Sequence, residues 1–214
     1  MNEIDLEKWG ISIIDKVKAD RRAFSDETLE FSIFYSPIQL APKLMIIGDN
    51  PGGQFGEQGL YEIPKLHEYI DPNQKYSIAI AMRDKIMKGE KLKDILTNSV
   101  KINRIFFRTP NMRTFESFKN SNEIKEYCFR TVNEIIETLK PKRILAESFG
   151  TFKSFCSTWT SILEKENTKK SLLLRGQYNG IEIFGINHPS QAWRQRIDNN
   201  DWERVNKELE KRLD

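Results

Sequence analysis

The stretch KLMIIGDNPGG, residues 43–53, decides the fold class of this sequence. Residues 44–47 form a continuous apolar run, which is typical of a short strand buried on both faces of a parallel sheet. The chain then breaks at once into a loop that contains three glycines. Because ligands of open α/β sheets bind beyond the carboxyl ends of the strands, this loop is a candidate binding site.

Strand and helix patterns alternate on either side of this stretch. The predicted strands are residues 44–47, 100–110, 142–148 and 181–186, the last joined to a preceding strand by the hairpin turn Tyr178-Asn179-Gly180. The predicted helices are residues 6–24, 75–88, 91–98, 122–139, 150–159 and 201–213. Residues 29–38 are predicted to be a strand or an extended arm. This order predicts an α/β protein with three α/β/α layers and a short, mainly parallel central sheet.

The composition predicts an ordinary globular protein of one domain. The chain has 214 residues, 38% of them apolar and 30% charged, with a net charge of +3. We expect one domain over residues 1–214, in which residues 1–40 form an N-terminal helix and strand extension and residues 43–196 the motif-bearing core. The acidic start MNEIDLEKWG differs from a signal peptide, and no apolar run is long enough to cross a bilayer. We therefore expect a cytoplasmic or nucleoid-associated protein without membrane contact.

Three polar loops are expected to meet at one edge of the sheet, after Ile47, Asn103 and Ile186. The loop GDNPGG, residues 48–53, forms either a cradle for an anionic or planar ligand or only a tight turn. His188 either serves as a rigid ring that stabilises a developing oxyanion or is purely structural. Asn103 either faces inward, where its amide needs partners, or lies on the surface of an edge strand.

Aromatic and basic side chains near the C-terminal motif suggest contact with nucleic acid. Trp193 is followed by Arg194, which is the pattern of an exposed wedge on a basic loop, or else the tryptophan belongs to the core. Arg104, Arg108 and Arg113 form a second, scattered basic set, in which arginines are ordinarily solvated. The two cysteines, Cys128 and Cys156, are expected to be free thiols.

Taken in order, these motifs resemble the uracil-DNA glycosylase superfamily. GDNPG (residues 48–52) resembles its first motif, G-E-x-P-G or G-M-N-P-G, and HPS (residues 188–190) resembles its second. Between them, Asn103, Arg108 and Arg113 match the spacing of the thermostable iron–sulfur type. The chain lacks the four cysteines of that type, so we expect no cluster, no metal and no other cofactor.

The resemblance implies a role for each motif residue. The catalytic residues would be Asp49, Asn50 and His188. The base-binding residues would be Gly48, Pro51, Gly52, Phe55, Tyr61 and Asn103. The DNA-binding residues would be Ser190, Trp193, Arg194, Arg108 and Arg113. Gly52 replaces the tyrosine by which the classical uracil enzyme excludes thymine, so the preferred base stays open.

The function implied by this resemblance is that of a DNA glycosylase. It would flip a uracil or another deaminated or damaged base out of DNA and hydrolyse its N-glycosidic bond, acting as a monomer. Two alternatives stay open. One is a superfamily member that binds nucleic acid or a modified base without cleavage, and the other is a hydrolase of small nucleosides.

Overall fold

A six-stranded mixed sheet forms the centre of the protein. The computed structural model describes residues 3–24, 29–54, 57–191 and 197–213. The strands are β1 (Met45–Gly48), β2 (Val100–Asn103), β3 (Arg143–Ala146), β4 (Trp159–Glu164), β5 (Ser171–Tyr178) and β6 (Ile181–Ile186). The α-helices are α1 (Glu3–Asp20), α2 (Ser77–Ala81), α3 (Glu90–Thr97), α4 (Met112–Glu116), α5 (Ser121–Leu139), α6 (Phe149–Phe155) and α7 (Asn199–Arg212). A π-helical turn (Met82–Ile86) continues α2, and 3₁₀ turns occupy Arg21–Phe24 and Pro189–Gln191.

The strand order is β2-β1-β3-β6-β5-β4. The first four strands run parallel, and β5 and β4 continue the sheet as antiparallel strands. The predicted α/β class with a mainly parallel sheet is therefore confirmed. The register pairs Gly48 with Asn103 and Ile47 with Ala146, so the carboxyl ends of β2, β1 and β3 lie at one level.

Two apolar layers cover the two faces of the sheet. Successive side chains in and just before β1 point to opposite faces of the sheet. Met45 and Ile47 lie in one layer, and Leu44 and Ile46 lie in the other. The first face packs against buried residues of α1, α5 and α6. The second packs against α2, the π-helical turn, α3 and α7. This arrangement is the three-layer α/β/α architecture expected for strands with continuous apolar runs.

Two predicted elements have different limits in the structure. The prediction of a helix over residues 150–159 is wrong at its end, because α6 stops at Phe155 and Trp159 begins β4. The β4 segment WTSILE is rich in β-branched and aromatic residues, which favour a strand once β5 offers a partner. The strand predicted over residues 100–110 ends at Asn103, after which the chain bends around the β1 loop.

The segment 29–36 forms an extended arm along the outer side of β2, as one of the two sequence interpretations predicted. Isolated bridges join Phe34 to Ile102 and Phe31 to Phe107. The Tyr35 N–H donates to the Lys101 carbonyl at 2.9 Å, and the Lys101 N–H donates to Ser36 Oγ at 2.8 Å. The arm therefore satisfies backbone groups of β2 that would otherwise lie on an open sheet edge.

Two findings bear on the general class of the protein. Among the helices of the described residues, none is long and apolar enough to cross a membrane. Cys128 and Cys156 are both buried, free thiols, as the sequence predicted.

Helix α6 lies directly against the sheet at Gly185. A Cβ atom at Gly185 would lie 2.7 Å from Cβ and 2.6 Å from Cγ of Phe152, which is fully buried. Real side chains do not pack this closely, so only glycine at position 185 lets α6 pack directly against the sheet.

Replacement of Gly185 by alanine is expected to destabilise the protein. The added methyl group would push Phe152 and α6 off the sheet, and such overpacking lowers the free energy of unfolding by about 1–3 kcal/mol. Urea denaturation followed by circular dichroism measures this change. The control is Gly150→Ala, whose new Cβ would meet only Ser148 Oγ at 3.5 Å. An equal effect of both substitutions would contradict the packing argument.

Candidate functional site

The loop after β1 is held against the segment that follows β2. The Arg104 N–H donates to the Gly48 carbonyl at 2.9 Å, and the Ile105 N–H donates to the Asp49 carbonyl at 3.0 Å. These bonds extend the parallel pairing of β1 and β2 past the ends of the strands. They bring the first predicted motif beside the polar residues that follow β2.

Asp49 is an ionised carboxylate with three side-chain donors. Its Oδ1 accepts from Arg104 Nε at 2.9 Å and from Thr151 Oγ1 at 2.6 Å, and its Oδ2 accepts from Ser148 Oγ at 2.9 Å. Burial acts to raise the pKa of Asp49, but the Arg104 charge and the hydrogen bonds outweigh it and lower the pKa. The side chain is therefore a fixed negative charge at neutral pH.

Asn50 is oriented by Thr109. The Asn50 Nδ2 donates to both the carbonyl oxygen and Oγ1 of Thr109, each at 3.0 Å. This fixes the amide plane and leaves Oδ1 without a hydrogen-bond donor among the described residues. Gly52 follows with φ of 65°, a conformation that glycine adopts without strain.

Asn103 and Glu147 meet above Gly48. A Cβ atom placed on Gly48 would lie 2.2 Å from Asn103 Oδ1 and 2.7 Å from Glu147 Oε2, so only glycine admits both side chains. Asn103 is 3% exposed, and within the described ranges its side-chain amide has no hydrogen-bond partner. This resolves the two alternatives for Asn103, because the residue faces inward although β2 is the last strand of the sheet. An almost buried amide without a protein partner is available to bind a ligand.

His188 follows β6 and presents a neutral ring. Its Nδ1 lies 2.9 Å from Ser190 Oγ, and Nε2 has no partner in the described part of the chain. Burial lowers the pKa of His188, Asp49 opposes this effect, and Lys101 adds to it, so the net pKa is lowered. In the tautomer with its proton on Nε2, Nδ1 accepts from the Ser190 hydroxyl and Nε2 can donate to a ligand.

A buried lysine lies beneath these groups. Lys101 Nζ is 2.7 Å from Glu68 Oε1 and 3.7 Å from Glu147 Oε2. The same ammonium group lies 4.6 Å from the centre of the Tyr35 ring and 5.0 Å from that of Tyr69. Burial would lower the pKa of Lys101, but the carboxylates of Glu147 and Glu68 outweigh it and raise the pKa. Lys101 therefore stays charged.

Glu147 is the acidic member of this network nearest to Asn103. Its Oε1 accepts from the Tyr69 hydroxyl at 2.5 Å, and the side chain is almost fully buried. Burial raises the pKa of Glu147, whereas Lys101 and the hydrogen bond from Tyr69 oppose this. The carboxylates of Glu68 and Asp49 raise it further, and the net effect is a raised pKa, with burial as the largest cause.

The predicted site residues divide into four groups, of which the last is Tyr61 alone. Those that surround the carboxyl edge of the sheet are Gly48, Asp49, Asn50, Pro51, Gly52, Asn103, His188 and Ser190. The second group is Arg108, whose Nη2 lies against Gly53 of the first-motif loop, and Arg113. Arg108 pairs with Glu57 at 3.1 Å and Arg113 is exposed on α4. Phe55, Trp193 and Arg194 lie outside the described residues.

Tyr61 lies with the N-terminal segment. Its hydroxyl accepts from Arg21 Nη1 at 2.9 Å and donates to Glu30 Oε2, and its ring packs 4.9 Å from that of Phe31. The ring and the hydroxyl are thus both used in binding α1 and the arm to the loop that follows the first motif. These contacts give Tyr61 a structural role that its position in the sequence did not indicate.

Sequence reasoning missed three residues that shape the site: Lys101, Arg104 and Glu147. Arg104 had been assigned to the scattered, solvated set, yet it pairs with Asp49. Lys101 alternates with apolar residues in the strand VKIN, which is the pattern of a side chain that faces solvent, so its burial could not be predicted from the sequence. Glu147 directly follows an apolar strand, as Asp49 does, and could have been selected on the same ground.

Comparison with known proteins adds no assignment. No protein-family model matches the chain, and no curated protein is significantly similar to it. Within the described residues, no three His, Cys, Asp or Glu side chains are grouped so as to hold a metal ion. The functional argument therefore rests on the geometry of the site and on its motifs.

His67 is buried beside this network as a neutral ring of defined tautomer. Its Nδ1 accepts from the Tyr69 N–H at 3.1 Å. Its Nε2 lies 3.0 Å from Ser99 Oγ, whose proton goes to the Leu96 carbonyl, so Nε2 is the donor. Burial, with a smaller effect from Lys101, lowers the pKa of His67 to about 3.

Mild acid is therefore expected to destabilise the protein through His67. Below the unfolded-state pKa the unfolded chain binds a proton that the folded ring does not, so stability is lost as the pH falls from about 6.5 towards 3. At about pH 5.5, His67 alone should lower the free energy of unfolding by about 1 kcal/mol relative to about pH 8. Urea denaturation at both pH values measures it.

The controls are single substitutions of each histidine. His67→Gln should remove this part of the pH dependence, and His188→Gln reports the contribution of the other histidine in the chain. The same pH dependence in His67→Gln and in the unchanged protein would show that His67 is protonated in the fold.

Proposed function

We propose that this protein is a DNA glycosylase, which hydrolyses the N-glycosidic bond of uracil or another deaminated or damaged base in DNA. The observation that carries the proposal is the set of unpartnered polar atoms of Asn50, Asn103 and His188 around the Asp49 carboxylate. The resemblance of GDNPG and HPS to the uracil-DNA glycosylase superfamily supports the same function. The proposal includes a monomeric protein in the cytoplasm, with DNA as its partner.

Cleavage of an N-glycosidic bond separates charge, so an enzyme must stabilise both the departing base and the sugar. The departing base takes up negative charge, and the sugar develops positive charge. A neutral His188 can donate from Nε2 to the base oxygen on which charge develops. The Asp49 carboxylate, ionised and fixed by Arg104, can stabilise the positive sugar. No proton transfer to Asp49 is required for this electrostatic role.

The site offers one candidate group that would bind the attacking water and another that would bind the flipped base. Asn50 Oδ1 is free to accept a hydrogen bond from an attacking water, because Thr109 occupies the amide nitrogen. The buried amide of Asn103 can pair with the Watson–Crick edge of a flipped base. A site that leaves its own polar groups unpaired with the wrong base discriminates strongly against that base.

DNA contacts are assigned to the rim of the site. Ser190 lies beside His188 and can donate to a phosphate flanking the flipped nucleotide. Arg108 and Arg113 would add charge, and Phe55 would stack on the base. Trp193 would fill the gap left in the DNA, next to Arg194. Neutralisation of phosphates by such residues makes binding fall steeply with salt.

A second candidate function is binding of a modified base without cleavage. The observation in its favour is that both oxygens of Asp49 accept hydrogen bonds from protein side chains. Each oxygen so engaged is less able to hold the attacking water. A hydrolase of small nucleosides would use the same atoms but would not depend on DNA or on salt.

The decisive experiment is strand scission by alkali after incubation with labelled oligonucleotides. Substrates carry uracil, hypoxanthine, xanthine or a thymine mismatch, in single and double strands. We expect cleavage at one of these bases, with His188→Ala and Asn50→Ala each lowering the rate about 100-fold or more. Asn73→Ala, an exposed asparagine in a loop, is the matched control and should retain full activity.

Each other outcome points to a different function. Folded protein that binds DNA but cleaves no substrate would reject the glycosylase and support binding alone. Absence of DNA binding at about 50 mM salt, where phosphate contacts are strong, would favour a nucleoside substrate. Cleavage that survives both site substitutions would show that the reaction takes place elsewhere or comes from a contaminant.

A further inference from the structure

A cavity of about 460 Å³ lies along the antiparallel end of the sheet. Its walls come from α6, from the two ends of β4, from β5 and from the residue that follows β6. The polar and aromatic residues of this lining are Phe149, Lys153, Trp159, Lys165, Lys170, Ser171 and Asn187. A space of this volume is typical of ligand sites and is large enough for a nucleobase with its sugar.

The cavity begins beside the candidate site. Phe149 directly follows Ser148, which donates to Asp49, and Asn187 directly precedes His188. Asn187 is only 7% exposed, and its Nδ2 donates to a backbone carbonyl of β5 at 3.1 Å. Its Oδ1 has no hydrogen-bond donor in the described part of the chain. A strand of nucleic acid with one base at His188 would therefore meet this cavity next.

Trp159 presents an exposed indole ring at the other end of the cavity. It is 43% exposed, whereas Trp202 is buried and Trp9 is half-buried. Phe152 supports the ring by an edge contact, with the ring centres 6.3 Å apart. Because β4 has six residues, about 16 Å separates Trp159 from the opposite end of the strand. An accessible aromatic ring of this kind is a platform on which an unpaired base can stack.

The lining of the cavity is positively charged. Of the ten described residues that line it, three are lysines and none is an aspartate or a glutamate. Lys153 Nζ lies 5.1 Å from the centre of the Trp159 ring. Lys165 is paired with Asp201, but neither Lys153 nor Lys170 forms an ion pair with a described residue. These two ammonium groups are available to phosphates.

We propose that this cavity binds single-stranded DNA, with one unpaired base stacked on Trp159 and the flanking phosphates near Lys153 and Lys170. The base must be unpaired, because the faces of duplex bases are covered by their neighbours. A strand whose target base lies at His188 would continue past Asn187 towards Trp159. The inference rests on the proposed function for that target base, and it directs the site to single-stranded substrates.

Undamaged oligonucleotides test the cavity without any cleavage. Fluorescence anisotropy measures the binding of labelled oligothymidylate of about 12 nucleotides, and of a duplex of the same length, at about 50 mM salt. We expect the single strand to bind about tenfold more tightly, because stacking on one aromatic ring changes affinity by about fivefold or more. Tryptophan fluorescence should be quenched on binding, and Trp159→Phe should remove this quenching.

Substitutions separate stacking from charge. Trp159→Ala should lower the affinity for the single strand about tenfold, whereas Trp159→Phe, which keeps a stacking ring, should retain most of it. Lys153→Gln and Lys170→Gln should each reduce the slope of log affinity against log salt by about 0.7. Lys93→Gln is the matched control, an exposed lysine on α3 across the sheet, and should leave affinity and slope unchanged.

Three results would overturn the inference: binding of the duplex as tight as that of the single strand, an unchanged affinity in Trp159→Ala, or binding of thymidine monophosphate as tight as that of the oligonucleotide. The last result would indicate a site for free nucleotides. The scission assay separates this failure from failure of the proposed function. Cleavage of a damaged base with no effect of Trp159→Ala on binding would keep the glycosylase and reject the cavity as a DNA site. Binding that depends on Trp159, without cleavage of any base, would do the reverse.

Discussion

The polar end of the sheet depends on the burial of one positive charge. Lys101 is only 3% exposed, and a buried ammonium group is tolerated only with charged or polar partners close by. Glu68, Glu147 and two tyrosine rings supply these partners. They come from three separate parts of the chain, so the charge of Lys101 joins its own strand β2 to the arm, the loop before α2 and the end of β3.

This arrangement explains why the candidate site has a rigid end and an open rim. Glu147 is held by Tyr69, and Asp49 by Arg104, Ser148 and Thr151, so two carboxylates have fixed positions. Asn103, Asn50 and His188 each retain an unused polar atom in the described part of the structure. Fixed charges next to unused hydrogen-bonding atoms are the combination that preorganised sites require, because little reorganisation is needed when a ligand binds.

The parts of the fold that depend on local pattern could be predicted from the sequence. The apolar run before Gly48 indicated a buried strand, and the polar residues after it and after Ile186 indicated the edge at which the site lies. Lys101 could not be assigned in the same way, since its role arises from strand order and from contacts between distant segments. The strand β4 was missed because its pairing with β5 overrides the helical continuation of α6. The structural role of Tyr61 could not be predicted either, because its partners Arg21 and Glu30 lie in a segment that the motifs do not include.

The arm along β2 also has a consequence for the order in which the protein can assemble. Residues 29–36 are synthesised early, yet their partners, Ile102 and Phe107, leave the ribosome much later. Until then the arm and its apolar side chains Phe31 and Phe34 have no sheet to join, and contacts between distant segments form slowly. Until the ribosome has completed β1 and β2, this unpaired segment must therefore avoid pairing with other strand edges. Completion of β2 is thus the earliest step at which the N-terminal part of the chain can become committed to the native fold.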